Sequence, residues 1–470
     1  MAHANPAAMP GTKARKGTNP VVVLLTILCL AMVLTFIVDS GAYEREGRQV
    51  VAGTFETVEK DKSPLGLFAL PAPDTPGEAH PVGIIGMLMA IPEGLERSAG
   101  LIFMVLLIGG MFGVLSESGA IDAGLNRLIG MVRGDLYILV PGLMIIFSAG
   151  STFLGLASEY LIVIPVMVAM ANRLGLSSVV GLAIVTVGTK VGYIASVTNP
   201  LPLTVAQPLV GLPIFSGADV RFGFYLVYLA AGIIFMMAMI RREGFTRTAS
   251  AEVPSERLSP RHTAVLGALV AGVAVLVYAS NQWHWKHHAL SAFYIGLSII
   301  LAAISGLGPS RAADAFVGGM KKVLMAAALI GVATAVSVVL QEGKVLDTVV
   351  HFLTGLIGDG GALMAAQGMF VSQLLLDFLI PSTSGQAAVS MPILGPIGQL
   401  SGVEPQTTVL AFLFGNGLTN MITPTSGTLL AYLATAQVGW VQWARFILPL
   451  WIAFALISML LLTVAVTINF

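Results

Sequence analysis

The sequence predicts an all-α polytopic membrane protein built from two inverted-topology repeats, with opposed re-entrant hairpins and discontinuous transmembrane helices. Three observations predict it. Of 470 residues, 56% are hydrophobic and 10% are charged, and the mean hydropathy is +0.88. A soluble domain carries about 25% charged residues, so this chain lacks the polar surface that water requires. Long uncharged runs recur along the whole chain, and two regions interrupt them in the same way in the two halves.

The runs supply the elements in order. A spanning helix needs about 20 apolar residues, and the uncharged stretches 17–38, 98–116, 222–240, 263–285, 289–310, 323–341 and 446–470 give seven ordinary spanning helices. The first follows Lys13, Arg15 and Lys16, as a signal peptide would, but its core is long and no clear small-residue cleavage site follows, so it reads as a retained helix. Residues 136–172 contain two apolar legs around Ser148-Ala149-Gly150-Ser151-Thr152, with Gly155 and Ser158-Glu159 beyond. At about 1.5 Å per residue each leg reaches part way across a bilayer. The form returns at 361–397 around Pro381-Ser382-Thr383-Ser384-Gly385-Gln386.

Each hairpin precedes an apolar segment interrupted in its middle. Ser196-Val197-Thr198-Asn199-Pro200 interrupts 178–210, and Thr423-Pro424-Thr425-Ser426-Gly427 interrupts 406–438. Proline and glycine break a helix there and leave backbone groups unpaired, which hydrocarbon tolerates only where protein or a wet cavity receives them. A constant shift of 227 residues places Pro165 on Pro392, Glu159 on Gln386, Gly188 on Gly415, Ser196 on Thr423 and Thr198 on Thr425.

Lysine and arginine placement sets the orientation. With the chain in the cytoplasmic (inner) membrane and its N-terminus on the cytoplasmic side, most basic residues are cytoplasmic, and the hairpins enter from opposite faces. The chain then divides into a cytoplasmic tail at 1–20, a first repeat at 21–242 with an external loop at 43–80, a cytoplasmic linker at 243–262 and a second half at 263–470.

Composition removes several function classes. Lys plus Arg and Asp plus Glu are both 24, so no basic face is offered to nucleic acid. Cys29 is alone, which excludes an intrachain disulfide and a thiolate metal cluster. The seven histidines fall in tails, loops or segment ends, and neither His-Glu-x-x-His nor an acyl-transfer elbow occurs. The chain therefore reads as a non-enzyme without a metal or cofactor, apart from a coupling Na+ or H+; Glu159 with Asp377 is the only carboxylate pair that could argue otherwise.

Half-helix N-termini present free N–H groups to an anion, while unwound carbonyls and hydroxyls coordinate a cation. On that logic Glu159, Lys190, Thr198, Asn199, Ser384, Gln386, Asn416 and Thr425 are the candidate substrate-binding residues. Ser151, Thr152, Ser196, Asn199, Ser382, Thr383, Thr423 and Ser426 are the candidate ion-coupling residues. Glu159, Lys190 and Asp377 lie deep within apolar sequence, where ionisable groups are functional suspects. A plainer alternative makes Lys190 a structural tie to Glu159 or Asp377 and the hydroxyls mere helix glue. If Lys190 instead stands in for a coupling cation, proton coupling is expected over sodium.

Ile380-Pro381-Ser382-Thr383-Ser384-Gly385-Gln386-Ala387-Ala388, Pro392, and Phe414-Gly415-Asn416-Gly417 through Thr423-Pro424-Thr425-Ser426-Gly427 resemble the YfcC-type, ArcD-like membrane proteins of the ion-transporter superfamily. Gly119-Ala120-Ile121-Asp122-Ala123-Gly124 and Gly211-Leu212-Pro213-Ile214-Phe215-Ser216-Gly217 fit too, and the match spans about 99–240 and 311–450. The resemblance implies inverted repeats, a homodimer and elevator-like movement of the hairpin domain. It also implies basic amino acid antiport, with dicarboxylate carriers as cousins. Three positions depart from the family pattern: Lys190 stands where small residues occur, Asn416 in place of an acid, and Ser158 in place of a second acid beside Glu159. All three make the centre more positive, which favours a carboxylate over a dication. The expected function is secondary transport of a small carboxylate-bearing metabolite, an amino acid first and a C4-dicarboxylate as the alternative. An intramembrane enzyme or a channel is the remote reading. The partners expected are the solute, membrane lipid and a second copy.

Overall fold

The computed structural model describes residues 20–46, 49–60, 64–68, 78–131, 135–244, 258–283, 285–355, 357 and 361–470. Lys13, Arg15 and Lys16, most of the expected linker and His284 lie outside the described residues.

Helix α1 spans Pro20–Ile37 and opens on a proline, whose fixed φ suits a first helical turn. The expectation of a wholly helical chain is then corrected. The expected loop 43–80 lies next to short strands and contains others: β1 (Ser40–Ala42), β2 (Arg45–Glu46), β3 (Gln49–Val50), β4 (Glu56–Lys60) and β5 (Glu78–Ala79). β1 pairs antiparallel with β4, β4 parallel with β5, and β2 antiparallel with β3. The alternating Glu56-Thr57-Val58-Glu59-Lys60 suits a half-wet strand, a signal too short to weigh against the apolar runs around it.

The first half continues with α2 (Ile84–Arg97), α3 (Ala99–Glu117), α4 (Ala120–Met131) and α5 (Leu136–Leu154). A 3-10 turn at Ser158–Ile162 leads to α6 (Ile164–Arg173), α7 (Ser178–Ala195), α8 (Pro200–Leu209) and α9 (Ala218–Arg242). The second half contains α10 (Pro260–Gln282), α11 (His287–Ser305), α12 (Pro309–Glu342), α13 (Leu346–Gly355), α14 (Gly361–Leu379), α15 (Thr383–Leu400), α16 (Pro405–Thr419), α17 (Gly427–Ala436) and α18 (Trp440–Thr467). Of the seven uncharged runs, five fall on helices long and apolar enough to span, while 17–38 and 263–285 fall on the shorter apolar stretches of α1 and α10. Helix α2 went unread because Glu93, Glu96 and Arg97 interrupt its apolar pattern.

Eight segments among the described residues are long and apolar enough to cross a membrane: α3, α5, α7 with α8, α9, α11, α12, α14 and α18. Of the expected hairpin legs, α5 and α14 are long and apolar enough to cross, whereas the 10-residue α6 is not. Ser148 to Thr152 are not a hairpin tip but the closing turns of α5, whose 19 residues rise about 28 Å. The chain turns later, at Gly155, where φ of 73° favours a residue without Cβ. In the second region the turn is Ile380-Pro381-Ser382, between α14 and α15.

The shift of 227 residues carries Pro200–Leu209 onto Gly427–Ala436 and Ser178, the start of α7, onto Pro405, the start of α16. Packing follows the same scheme in both halves: α5 on α7 and α7 on α9, then α14 on α16 and α16 on α18, with α7 against α16 joining them. Every residue of α7 from Val179 to Ala195 and of α16 from Thr407 to Thr419 is buried. Outer helices expose Ile138, Ile146, Ile234, Ile299, Met325 and Leu456, as a lipid-facing surface would. Glycines let α3 and α12 cross closely: a Cβ on Gly113 would collide with the Ala315 carbonyl oxygen.

Candidate functional site: two helix breaks joined by a buried polar cluster

In the first break α7 stops because Ser196 takes φ of 43° and Pro200 can only begin a new helix. The Ser196 hydroxyl turns back onto the Tyr193 carbonyl. Asn199 caps α8, its Oδ1 accepting from the Leu201 amide at 3.0 Å. Thr152 of α5 lies alongside: its Oγ1 accepts from the Val197 amide at 2.9 Å and its carbonyl from the Thr198 amide at 3.0 Å. Thr198 also donates to the Phe153 carbonyl at 3.3 Å. Ser151 Oγ and Asn199 Nδ2 are buried with no hydrogen-bond partner.

The freed carbonyls meet a side chain that the sequence reading missed. Arg221 of α9, wholly buried, donates through Nε to Ser196 O at 3.1 Å, through Nη2 to Val197 O at 3.0 Å and through Nη1 to Gln406 Oε1 at 3.2 Å. It stands at the edge of the uncharged run 222–240, where a charge reads as the end of a span.

The second break is held by hydroxyls and indoles. Ser382 caps α15, accepting from the Gly385 amide at 3.3 Å, and Ser426 caps α17, accepting from the Leu429 amide at 3.4 Å. Thr423 donates to Thr425 Oγ1 at 2.7 Å, and Thr425 donates to the Phe378 carbonyl at 3.0 Å. Helix α18 supplies three indole donors: Trp451 to Leu418 O at 2.9 Å, Trp443 to Met421 O at 3.0 Å and Trp440 to Ile422 O at 2.8 Å.

Between the breaks lies one continuous network. Asn416 donates through Nδ2 to Asp377 Oδ1 at 2.6 Å and to Gln386 Oε1 at 2.8 Å, and its Oδ1 accepts from the Tyr193 phenol at 2.5 Å. The Thr383 hydroxyl bonds to the same phenol. Asn420 Nδ2 adds a second donor to Asp377 Oδ1 at 2.8 Å. Gln386 donates to Gln373 Oε1 at 3.0 Å, which also accepts from Ser390 at 2.8 Å. Lys190 places its ammonium 5.4 Å from the Tyr193 ring centroid, a cation–π contact.

Of the expected site residues, the network brings together Lys190, Thr383, Gln386 and Asn416. Ser151, Thr152, Ser196, Thr198 and Asn199 gather at the first break, and Thr423, Thr425 and Ser426 at the second. Ser382 and Ser384 are exposed at the start of α15. Glu159 stays apart, half-buried in its 3-10 turn, where Oε2 accepts from the Ala157 amide at 2.9 Å. The structural tie from Lys190 to Glu159 or Asp377 is corrected: Lys190 makes no ion pair within 4 Å among the described residues. Gln373 and Asn420 were also missed. Each stands four residues from a singled-out position, Asp377 and Asn416, and so shares its helix face, which was the available signal.

The profile of the family described as DcuC, C4-dicarboxylate anaerobic carrier, matches residues 19–467. The chain belongs to the DcuC family. Among curated relatives of this DcuC member, the Escherichia coli (strain K12) protein named "Putative basic amino acid antiporter YfcC" is 28% identical over 93% of this chain and 92% of its own length. A Haemophilus influenzae protein called uncharacterized is 22% identical over 98% and 99%. Two solved transporters, YdaH of Alcanivorax borkumensis and MtrF of Neisseria gonorrhoeae, are each 15% identical, with TM-scores of 0.41 and 0.42. The YdaH match covers 96% of this chain and 99% of that one, and the MtrF match 95% of each. The family match and the apolar helices make the DcuC member a multi-pass membrane transporter of the DcuC/YfcC type, as the sequence resemblance implied.

Proposed function

We propose that the chain is a secondary active transporter that moves a small carboxylate-bearing metabolite, an amino acid first, across the cytoplasmic membrane. The observation that carries this reading is the Lys190, Tyr193, Asn416, Asp377 and Gln386 cluster. A positive and a negative side chain, with neutral amides between them, are buried where two interrupted helices from the two halves pack together. Such groups are expensive at membrane depth and are retained where a solute or ion needs them. The repeated element order supports an inverted pair of repeats, with α5 to α6 and α14 to α15 as re-entrant hairpins that move together in an elevator-type cycle. Lys190 is poised to receive a carboxylate, while the half-helices opening at Asn199 and Ser426 offer dipole ends of the same sign. We extend the reading to a homodimer with its N-terminus inside, driven by H+ or Na+ or by exchange.

The family description favours a second reading, a C4-dicarboxylate or other organic-anion carrier. Counterflow in proteoliposomes separates the two. External arginine accelerating efflux of loaded arginine supports the first, and succinate exchange without arginine exchange supports the second. Efflux that does not saturate, or is blind to external solute, would leave a channel and remove both.

A further inference from the structure

Asp377 has two oxygens in unlike surroundings. Oδ1 accepts from Asn416 and Asn420, whereas Oδ2 is buried without a hydrogen-bond partner. The residue is 0% exposed, so Oδ2 is out of reach of bulk water in this state. An unpaired carboxylate oxygen in a dry interior is costly. A proton is the one ligand that relieves it without needing volume.

The groups around it are few. Helix α16 faces it with Asn416 and Asn420, and α15 reaches it through Gln386 bonded to Asn416. Helix α7 brings Lys190 and the Tyr193 phenol. On α13, Asp347 pairs with Arg45 at 2.6 Å and His351 meets the Tyr43 hydroxyl at 3.1 Å. Helices α12 and α18 bring no charged group to bear on it. Lys190 is thus the one charge acting on Asp377 among the described residues.

We propose that Asp377 is the proton-carrying group of this transporter. Its Oδ2 forms an O–H bond as a hydronium ion gives up a proton in one state, and releases that proton to water in the other. With Asp377 neutral, the Lys190 charge is uncompensated and the centre attracts a carboxylate. With Asp377 ionised, the two charges cancel and the carboxylate is released. Proton and carboxylate then favour each other's binding, by thermodynamic linkage. The role in transport rests on the carrier reading above; the protonation itself does not.

The test is infrared difference spectroscopy of the full-length protein in lipid nanodiscs, titrated from acid to alkaline buffer. A protonated-carboxyl C=O band that is lost on alkalinisation and is missing from Asp377→Asn is the expected result. Lys190→Met is expected to keep the band and change the pH at which it disappears. A wild type without a titrating band that Asp377→Asn removes would overturn the proposal, as would a band indifferent to Lys190. If the band behaves as expected while neither arginine nor succinate shows counterflow, the proton site stands and the carrier reading fails. Counterflow without the band has the opposite meaning.

Discussion

Arg221 donates its Nε–H to the Ser196 carbonyl across 3.1 Å, so a cation belonging to the chain stands at the backbone that α7 frees when it unwinds. Together with the bond to Val197 O, this fills carbonyls that a bound cation could otherwise use. Arg221→Leu would strand both and is expected to lower stability by about 3 kcal/mol or more. Arg221→Lys keeps the charge but not the planar fork, and should lie between. Thermal unfolding of the purified variants measures this, and a Leu variant that melts with wild type would show the guanidinium to be dispensable.

The α3 to α12 crossing makes a contrast of two glycines. Gly113→Ala drives its methyl into the Ala315 carbonyl oxygen, and overpacking of this kind costs about 1–3 kcal/mol. Gly142→Ala meets nothing within 4 Å and should be neutral or slightly stabilising. Equal melting temperatures for the two variants would contradict the close crossing.

Asn416 is a donor to Asp377 and Gln386 at once, which an acid cannot be while ionised. Asn416→Asp would set two carboxyls within hydrogen-bond distance, and the expected loss of about 2 kcal/mol at neutral pH should shrink in acid, where one carboxyl carries a proton. Unfolding curves at several pH values check the trend. A loss that grows in acid would refute the donor role.

Outside the spans, Tyr43 offers a pH effect with a definite sign. Burial, and then the Asp347 charge, push its phenol up from 10.0 to about 12. The folded chain therefore holds this proton more tightly than the unfolded chain, so the stabilisation is complete below pH 10.0 and fades as pH rises from there toward about 12. Tyr43→Phe should flatten that part of the stability profile. An unchanged slope would place the titration elsewhere.

Much of this organisation was legible before any coordinates. Five of the seven uncharged runs fall on spans because length and apolarity alone decide a span. Both breaks were visible as well, since Pro200, Pro424 and Gly427 cannot continue a helix quietly. The hairpin tip was misplaced because Ser148 and Thr152 are small and polar yet point inward from an intact α5, Ser148 bonding to Tyr225 at 2.8 Å. Hydropathy along one chain cannot tell a turn from a polar face packed on another helix. Arg221 escaped for the same reason: its meaning lies in Ser196 and Gln406, one 25 residues behind it and the other 185 ahead.

The indole contacts of α18 give the molecule its own optical probe. Three of its five tryptophans, Trp440, Trp443 and Trp451, rest their N–H groups on the stretch from Leu418 to Ile422. Emission at the ultraviolet wavelengths of tryptophan therefore watches that stretch directly, and any rearrangement of it on solute addition would register without a label being attached.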